Sequence, residues 1–254
     1  MSKIELKNID FSIGEKQILK DVNLLIEDGE FFSILGPSGV GKTTIFRIIT
    51  GALSPTKGSI IVDNKTINDL SIEKRNIVMV HQSKQLFPHM TVKENVEFGL
   101  KMRKLPKETI EEKVRFLVDF FNMEEYMKKY PHQLSGGQQQ LIALMRALAV
   151  DPKVLLLDEP FTGLDNNLKI YVRDYIMKVQ KKFKITTIMI THEKEDAFSM
   201  SDTIAFLFNG QVALVEKTRN LTISTDIPDI DEYLGEITIL LNGSIVFSDK
   251  IINI

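Results

Sequence analysis

The amino-acid sequence predicts an α/β fold with a parallel core sheet, a β-rich N-terminal region and an inserted helical block. A short apolar run at 31–35 leads directly into a glycine-rich loop and then into a helical pattern. Strands are predicted at 154–157 and 185–190, and they enclose a helical stretch, which is the spacing of a parallel strand–helix–strand unit. Between about 84 and 150 the hydrophobic period becomes helical. The chain of 254 residues is long enough to bury a substantial core.

The first part of the chain alternates in the manner of β-strands. Apolar runs at Val22–Ile26 and Phe31–Leu35 flank Asp28-Gly29, a dipeptide typical of tight turns, so the two runs are predicted to pair as a hairpin. Another strand is expected at Ser59–Val62. These strands form the predicted β-rich subdomain.

The helical block begins with a recognisable cap. Thr91 and Glu94 have the spacing of a capping box and are predicted to start a helix. A second amphipathic helix is expected from Pro106 to about Tyr126, and a third over Leu141–Val150. The block is therefore predicted to be an α-helical subdomain inserted between strands of the core.

The last third of the chain returns to strands. A helix is predicted over 167–182, between the strands of the parallel unit. Asn209-Gly210 separates two apolar runs, 204–208 and 211–215, and Asn242-Gly243 separates 237–241 from 244–247. Both patterns predict a β-hairpin.

The loop after the run at 31–35 has the pattern G-x-x-x-x-G-K-T, from Gly36 to Thr43. Glycines let backbone N–H groups turn inward around an anion, and a following helix adds its positive end. Lys42 supplies a charge for the outer phosphates, and the Thr43 hydroxyl is a ligand for Mg²⁺. The helical pattern from Thr44 to Gly51 completes strand, loop and helix in the required order. An ordinary glycine-rich turn before a lysine is the weaker alternative.

Two carboxylates, Asp158 and Glu159, end the apolar run at 154–157. A central parallel strand would place them at the sheet edge where ligands collect. There Asp158 is a candidate partner of the Mg²⁺ held by Thr43, and Glu159 is a candidate base for an attacking water. The alternative is that two acids merely end a strand before Pro160.

The segment Leu134–Gln138, of sequence LSGGQ, precedes the third predicted helix. Ser135 and Gln138 have capping-box spacing, which by itself requires no function. A serine hydroxyl and unobstructed N–H groups at a positive helix end also suit a terminal phosphate. A simple cap and a phosphate seat both stay open at this point.

Taken in order, these motifs resemble the ATP-binding cassette family, the nucleotide-hydrolysing subunits of ABC transporters. The resemblance covers roughly residues 3 to 215 and implies a P-loop NTPase (RecA-like) core that binds ATP and Mg²⁺. It implies catalytic roles for Lys42, Gln82, Glu159 and His192, and Mg²⁺ ligation by Thr43, Gln82 and Asp158. It further implies that nucleotide contacts come from the following residues: Gly36, Pro37, Ser38, Gly39, Val40, Gly41, Lys42, Thr43, Thr44, Ile13, Ser135, Gly136, Gly137, Gln138 and Asp165.

The same resemblance implies partners. In this family the Leu134–Gln138 motif of one copy closes over nucleotide held by another, so we expect a homodimer or a heterodimer with a homologous ATPase subunit. The segment 85–100 is similar to the importer branch, which implies integral membrane permease subunits and, as a further candidate, an extracytoplasmic substrate-binding protein. The rival hypotheses are a non-transport cassette ATPase and an ATP-gated regulatory scaffold. We expect an ATPase domain over 1–215, with the helical subdomain at about 84–150, and a short β-containing extension over 216–254.

One position departs from the family pattern. Family members usually stack adenine on an aromatic residue before the glycine that is Gly14 here, but this chain has Ile13. Phe11, two positions earlier, is the alternative base contact. Loss of the stacking would forfeit roughly 0.5–1.5 kcal/mol of binding free energy.

The amino-acid composition excludes several classes of function and of binding site. The net charge of −2 gives no support to nucleic-acid binding, and the absence of cysteine excludes disulfides and cysteine-ligated metals. The first residues alternate without an apolar segment typical of a secretory signal, and no run of the length needed to cross a bilayer occurs. Together with the permease partner that the family resemblance implies, these features lead us to expect a peripheral location on the cytoplasmic face of the cell membrane.

Overall fold

The computed structural model describes residues 2–221, 225, 227–235, 237–239, 245–247 and 250–252. Its first layer is an antiparallel sheet with strand order β2-β1-β4-β5. The strands are β1 (Ile4–Ile13), β2 (Lys16–Ile26), β4 (Lys57–Val62) and β5 (Lys65–Thr66). The strand predicted at 59–62 is thus confirmed.

The second layer is a six-stranded sheet with strand order β10-β9-β3-β8-β7-β6. Its strands are β3 (Phe31–Leu35), β6 (Ile77–Val80), β7 (Val154–Asp158), β8 (Thr186–Thr191), β9 (Thr203–Phe208) and β10 (Gln211–Lys217). Every pairing except that of β10 with β9 is parallel. All residues of β3, β7 and β8 are buried, as expected for strands covered on both faces. The predicted parallel strand–helix–strand unit is confirmed.

The hairpin predicted around Asp28-Gly29 is wrong. β2 pairs with β1 in the antiparallel sheet, whereas β3 pairs in parallel with β8 and β9. The turn therefore carries the chain from one sheet to the other. The reason is burial: β3 is apolar on both faces, so its place is the centre of the parallel sheet and not the half-exposed position of a hairpin strand.

Helices cover the sheets and form the helical block. They are α1 (Lys42–Thr50), α2 (Ile72–Arg75), α3 (Val92–Met102), α4 (Lys107–Phe121), α5 (Gly136–Ala149), α6 (Asn166–Phe183), α7 (Lys194–Met200) and α8 (Pro228–Leu234). The capping box of Thr91 and Glu94 is present. Helix α4 ends five residues before the predicted Tyr126 because Asn122 takes a left-handed conformation with φ of 53°. The helices expected at 141–150 and 167–182 are confirmed with small shifts.

The chain from β9 onward contains the first predicted hairpin in full and the second in part. β9 and β10 pair around Asn209-Gly210, and both turn residues have positive φ. Strands β11 (Ile237–Ile239) and β12 (Ile245–Phe247) pair antiparallel, and β13 (Lys250–Ile252) pairs with β12. The predicted turn at Asn242-Gly243 lies outside the described residues. Among the helices described, none has the length and apolar character needed to span a membrane.

Candidate functional site

The carboxyl edge of the parallel sheet collects the loops that carry the predicted chemistry. In register, Leu35 of β3 lies opposite Thr191 of β8, and Asp158 of β7 lies opposite Ile190. The residues that follow these strands therefore reach the same edge. This topology brings the glycine-rich loop, the two carboxylates and His192 together, as a ligand site in a parallel sheet requires.

The glycine-rich loop is shaped by Gly41, the residue before helix α1. Its φ is 107°, and a Cβ there would lie 2.7 Å from Cδ2 of Leu19 on β2. No side chain caps α1 at this position. The N–H groups of the first turn thus keep their capacity for an anion.

Lys42 is buried, with 5% of its surface exposed. Its Nζ donates to the carbonyl oxygens of Gly36 and Pro37, each at 2.7 Å. Burial lowers the pKa of the ammonium, against the opposing charges of Glu159 and Asp158. Within the described part of the chain, the hydrogen bonds of this ammonium run to carbonyls of its own loop. A buried ammonium so placed fits the phosphates of a nucleotide, because phosphate would supply a hydrogen-bonded anionic partner.

Asp158 and Thr43 meet between β7 and α1. Burial, with the neighbouring Glu159 charge, raises the pKa of Asp158 to about 6, while Arg47, Lys42 and a hydrogen bond from the Thr43 side chain act in the opposite direction. A desolvated carboxylate beside a hydroxyl is a donor set that fits Mg²⁺. Across the described part of the chain, no three His, Asp or Glu side chains converge on a metal position.

Glu159 is held in a strained conformation beside His192. Its φ of 45° is unusual for a residue with a side chain. Its N–H donates to the Ile190 carbonyl at 3.0 Å, and the Thr162 hydroxyl donates to Oε2 at 3.2 Å. Nδ1 of His192 lies 3.2 Å from Oε1 of Glu159 without the alignment of a hydrogen bond. Both side chains line a cleft of about 520 Å³.

The Leu134–Gln138 motif starts helix α5. The Ser135 hydroxyl accepts from the Gln138 N–H at 3.3 Å, and Oε1 of Gln138 accepts from the Ser135 N–H at 2.9 Å. A Cβ at Gly137 would lie 2.9 Å from Cδ2 of Leu168 on α6. The capping box is therefore confirmed, and this glycine has a packing reason in addition to any role toward a ligand.

The structure places three further predicted residues on other segments. Gln82 follows β6 and its side chain is exposed. Asp165 caps α6, since its Oδ1 accepts from the Leu168 N–H at 3.0 Å. Ile13 is 66% exposed at the end of β1, whereas Phe11 is 8% exposed and packs in the core. Of the two candidate base contacts, Ile13 is the one that faces solvent.

Three residues that contact this site were not among the predicted site residues. Arg47 lies one turn after Thr43 on α1 and lowers the pKa of Asp158. Its helical spacing was a usable signal. Thr162, three residues after Glu159, was a similar local signal. Tyr233 donates its hydroxyl to the His192 carbonyl at 2.8 Å, a contact across 41 positions that no local pattern predicts.

Comparison with known proteins agrees with this geometry. The family model described as "ABC transporter" matches residues 19–162, a range that contains the glycine loop, the LSGGQ segment and both carboxylates. The chain belongs to the ABC transporter family. The expectation from the sequence motifs is confirmed.

Curated relatives of this ABC protein include import ATP-binding proteins. It is 45% identical over 237 residues to the spermidine/putrescine import ATP-binding protein PotA of Haemophilus ducreyi, covering 91% of this chain and 64% of the relative. It is 41% identical over 253 residues to the Fe(3+) ions import ATP-binding protein FbpC of Fusobacterium nucleatum, covering 96% of this chain and 66% of the relative. The chain thus spans slightly less than two thirds of either relative's length.

Solved structures of ATP-binding cassettes share the fold of this ABC protein. The cassette MJ0796, solved as a dimer in a post-hydrolysis state bound to ADP and Pi, matches with a TM-score of 0.75 and 34% identity, over 86% of this chain and all of the other. The cbiO1 protein of Clostridium perfringens, part of the transporter complex cbiONQ, matches with a TM-score of 0.80 and 30% identity, over 90% and 97% of the two chains. The predicted P-loop NTPase core is confirmed.

Proposed function

We propose that this ABC protein is the ATP-hydrolysing subunit of an importer and drives solute uptake through a partner permease. The observation that carries the proposal is the convergence at one sheet edge of Lys42, the Asp158–Glu159 pair and His192. A buried cation, a desolvated carboxylate and a strained carboxylate beside a histidine are the groups that phosphoryl transfer to water needs.

The residues have distinct roles in this proposal. The loop from Gly36 to Thr44 holds the phosphates through N–H groups, and Lys42 exchanges its carbonyl partners for phosphate oxygens. Thr43 and Asp158, with Gln82, would hold Mg²⁺, which when bound neutralises phosphate charge. Glu159 accepts a proton from the attacking water as the bond between the β-phosphate oxygen and the γ-phosphorus breaks, and the products are ADP and phosphate. His192 orients the γ-phosphate.

We further propose that two copies, or this chain and a homologue, enclose two ATP molecules. The Ser135–Gln138 turn presents a helix N-terminus to an anion, and Lys42 lies on a different element, at the start of α1. In this proposal a second copy brings its Ser135–Gln138 turn to the nucleotide that the Lys42 loop holds. Asp165 would approach the nucleotide from the partner side. The dimeric, ADP-bound state of the MJ0796 relative supports this arrangement.

The proposed import direction and permease partner are supported by the names of the relatives and by the segment 85–100. PotA and FbpC are named as import proteins. The segment 85–100 follows Gln82, and its Phe87 ring packs 4.5 Å from Phe98, between centroids, under the Arg146 guanidinium. This segment would contact permease subunits at the cytoplasmic face of the membrane. In the proposal, residues 1–215 form the ATPase domain and residues 216–254 form a C-terminal extension.

The deciding experiment measures phosphate release and oligomeric state for the purified chain and for Glu159→Gln. We expect slow turnover in the wild type and a loss of about 10²–10⁴-fold in the variant, because the amide cannot accept the proton. In saturating Mg-ATP the variant should elute as a dimer, since the bridging γ-phosphate is retained.

A matched control is Glu111→Gln on α4, a half-exposed residue paired with Lys107. It should match the wild type in turnover and remain monomeric after ATP is hydrolysed. The proposal fails if Glu159→Gln hydrolyses ATP at the wild-type rate. It also fails if the wild type releases no phosphate while the variant stays monomeric in Mg-ATP.

A further inference from the structure

Helix α8 contacts the loop that carries His192. The Tyr233 hydroxyl donates to the main-chain carbonyl of His192 at 2.8 Å. On the other side of that loop residue, the N–H of Glu193 donates to the Thr191 hydroxyl at 3.0 Å. The backbone just after β8 is thus fixed from two sides, and one of the two supports comes from the far end of the chain.

A second polar contact joins the same two elements. Nζ of Lys194, the first residue of α7, donates to the Leu234 carbonyl at 2.8 Å. This carbonyl lies at the carboxyl end of α8, where a cation is favourable. The same ammonium lies 5.4 Å from the centre of the Tyr233 ring. Residues 192–194 and 233–234 are therefore clasped by two hydrogen bonds of opposite direction; we call this the α8 clasp.

Apolar packing holds the clasp in place. Ile230 and Leu234 of α8 are buried in a cluster that also contains Leu35, the residue before the phosphate loop. The Tyr233 ring packs edge-on against Phe208, with centroids 5.5 Å apart. The helix is consequently seated beside the strand ends that carry the site, and its hydroxyl has little freedom to leave.

The Tyr233 hydroxyl keeps its proton in this environment. Burial, with the charges of Glu193 and Glu159 nearby, raises the pKa of Tyr233 to about 12. The phenol therefore acts as a donor to the His192 carbonyl throughout the neutral and mildly alkaline pH range.

We propose that Tyr233 is a positioning residue for His192: its hydroxyl fixes the His192 backbone and thereby holds the imidazole beside Glu159. The position of the ring depends on its backbone, because its Nδ1 lies 3.2 Å from Oε1 of Glu159 without a hydrogen bond and its Nε2 lies 3.4 Å from Oε1 of Glu193. The consequence for turnover rests on the proposed ATPase function. The structural effect on His192 does not.

The first test observes the imidazole directly and needs no catalysis. The chain has 4 histidines, so ¹³C-histidine labelling gives a spectrum of four ring signals, of which His192 is assigned by its loss in His192→Ala. In Tyr233→Phe we expect the His192 signal to shift or broaden while the other three stay in place. Tyr171→Phe is the matched control, since that phenol is half-exposed on α6 and packs on Tyr175. An unmoved His192 signal in Tyr233→Phe overturns the proposal.

The second test separates binding from turnover. Removal of one neutral hydrogen bond corresponds to about a three- to tenfold effect. We expect kcat of Tyr233→Phe to fall by that factor while KM for Mg-ATP stays within about twofold, because most of the proposed phosphate contacts lie on the loop from Gly36 to Thr44. An unchanged kcat, or a loss confined to KM, refutes the role in turnover. Absence of hydrolysis by the wild type would instead refute the proposed function and leave the spectroscopic result to decide on Tyr233.

Discussion

The two most informative motifs lie at the carboxyl edge of the parallel sheet and at the N-terminus of α5. They differ in how completely their polar and charged groups find partners within the chain. At the edge, the buried Lys42 ammonium donates to carbonyls of its own loop, Asp158 has a raised pKa, and Glu159 has a positive φ. At α5, Ser135 and Gln138 complete each other's hydrogen bonds. Strain and desolvated charge mark a place prepared for a ligand. The α5 motif is structurally complete, so its proposed role depends on what a second copy brings to it.

The largest expected effect tests whether α5 is more than a helix cap. Ser135→Asp and Ser135→Asn both preserve capping, because Asp and Asn are good N-caps, and they differ by one negative charge. If Ser135 faces a γ-phosphate across the dimer, Ser135→Asp should reduce turnover at least about 100-fold through repulsion. Ser135→Asn should retain most of its activity. Phosphate release in Mg-ATP measures both.

The same two Ser135 variants also separate the role of α5 from that of the phosphate loop. The affinity of the monomer for ATP, measured by fluorescent-nucleotide displacement, should stay within about twofold in both variants, since the phosphate loop is untouched. Equal turnover by Ser135→Asp and Ser135→Asn would show that the motif is only a cap.

The contrast also explains which parts of the fold were predictable. Strand β7 is largely a continuous apolar run and β8 is rich in β-branched residues. Both were predicted, because burial on both faces leaves a local signal. The four residues of β6, Ile77–Val80, were missed, since a strand this short has no clear period and half of its residues are only partly buried. The pairing of β3 was wrong because a turn signal at Gly29 states that the chain reverses and not which sheet it enters.

The site follows the same rule. Gly36 to Thr43, Asp158 and Glu159 could be predicted as site residues because their proposed chemistry is encoded in consecutive residues. The contact of Tyr233 with His192 depends on how α8 packs against Leu35 and Phe208. No local pattern encodes that packing. Long-range contacts that position a site therefore needed the structure.

The second prediction concerns the loss in free energy of unfolding that results from burying the Asp158 carboxylate at the sheet edge. Asp158 has a pKa of about 6 in the folded chain against an ordinary value of 3.8, so the folded state holds its proton more tightly than the unfolded state does. Stability then falls as pH rises from about 4 to 6 and stays low above 6. An asparagine side chain at this position carries no charge at any of these pH values. Without nucleotide or Mg²⁺, Asp158→Asn should therefore be more stable than the wild type by about 1–2 kcal/mol at pH 7.5, with allowance for solvent screening.

Urea unfolding at pH 7.5 and at pH 5.0 measures this difference. The advantage of Asp158→Asn should shrink at the lower pH, and it should reverse when Mg-ATP is added, because the amide is a poor Mg²⁺ ligand. The exposed Asp119→Asn on α4 is the control and should show little change with pH. A destabilised Asp158→Asn at pH 7.5 in the absence of ligand would contradict the strained-edge interpretation.

The smallest expected effect concerns the base of the nucleotide, for which the predicted contact position, Ile13, carries no aromatic side chain. Ile13 is 66% exposed and the buried Phe11 is committed to the core, so neither offers an aromatic face to a base. Ile13→Tyr should raise ATP affinity about 2- to 10-fold, the range that corresponds to one aromatic stacking contact. The preference for ATP over GTP should rise with it, whereas Ile72→Tyr, at another exposed isoleucine on α2, should change neither affinity. Strong ATP selectivity in the wild type that Ile13→Tyr leaves unaltered would mean that the base is held elsewhere, and the sheet edge would then recognise the triphosphate alone.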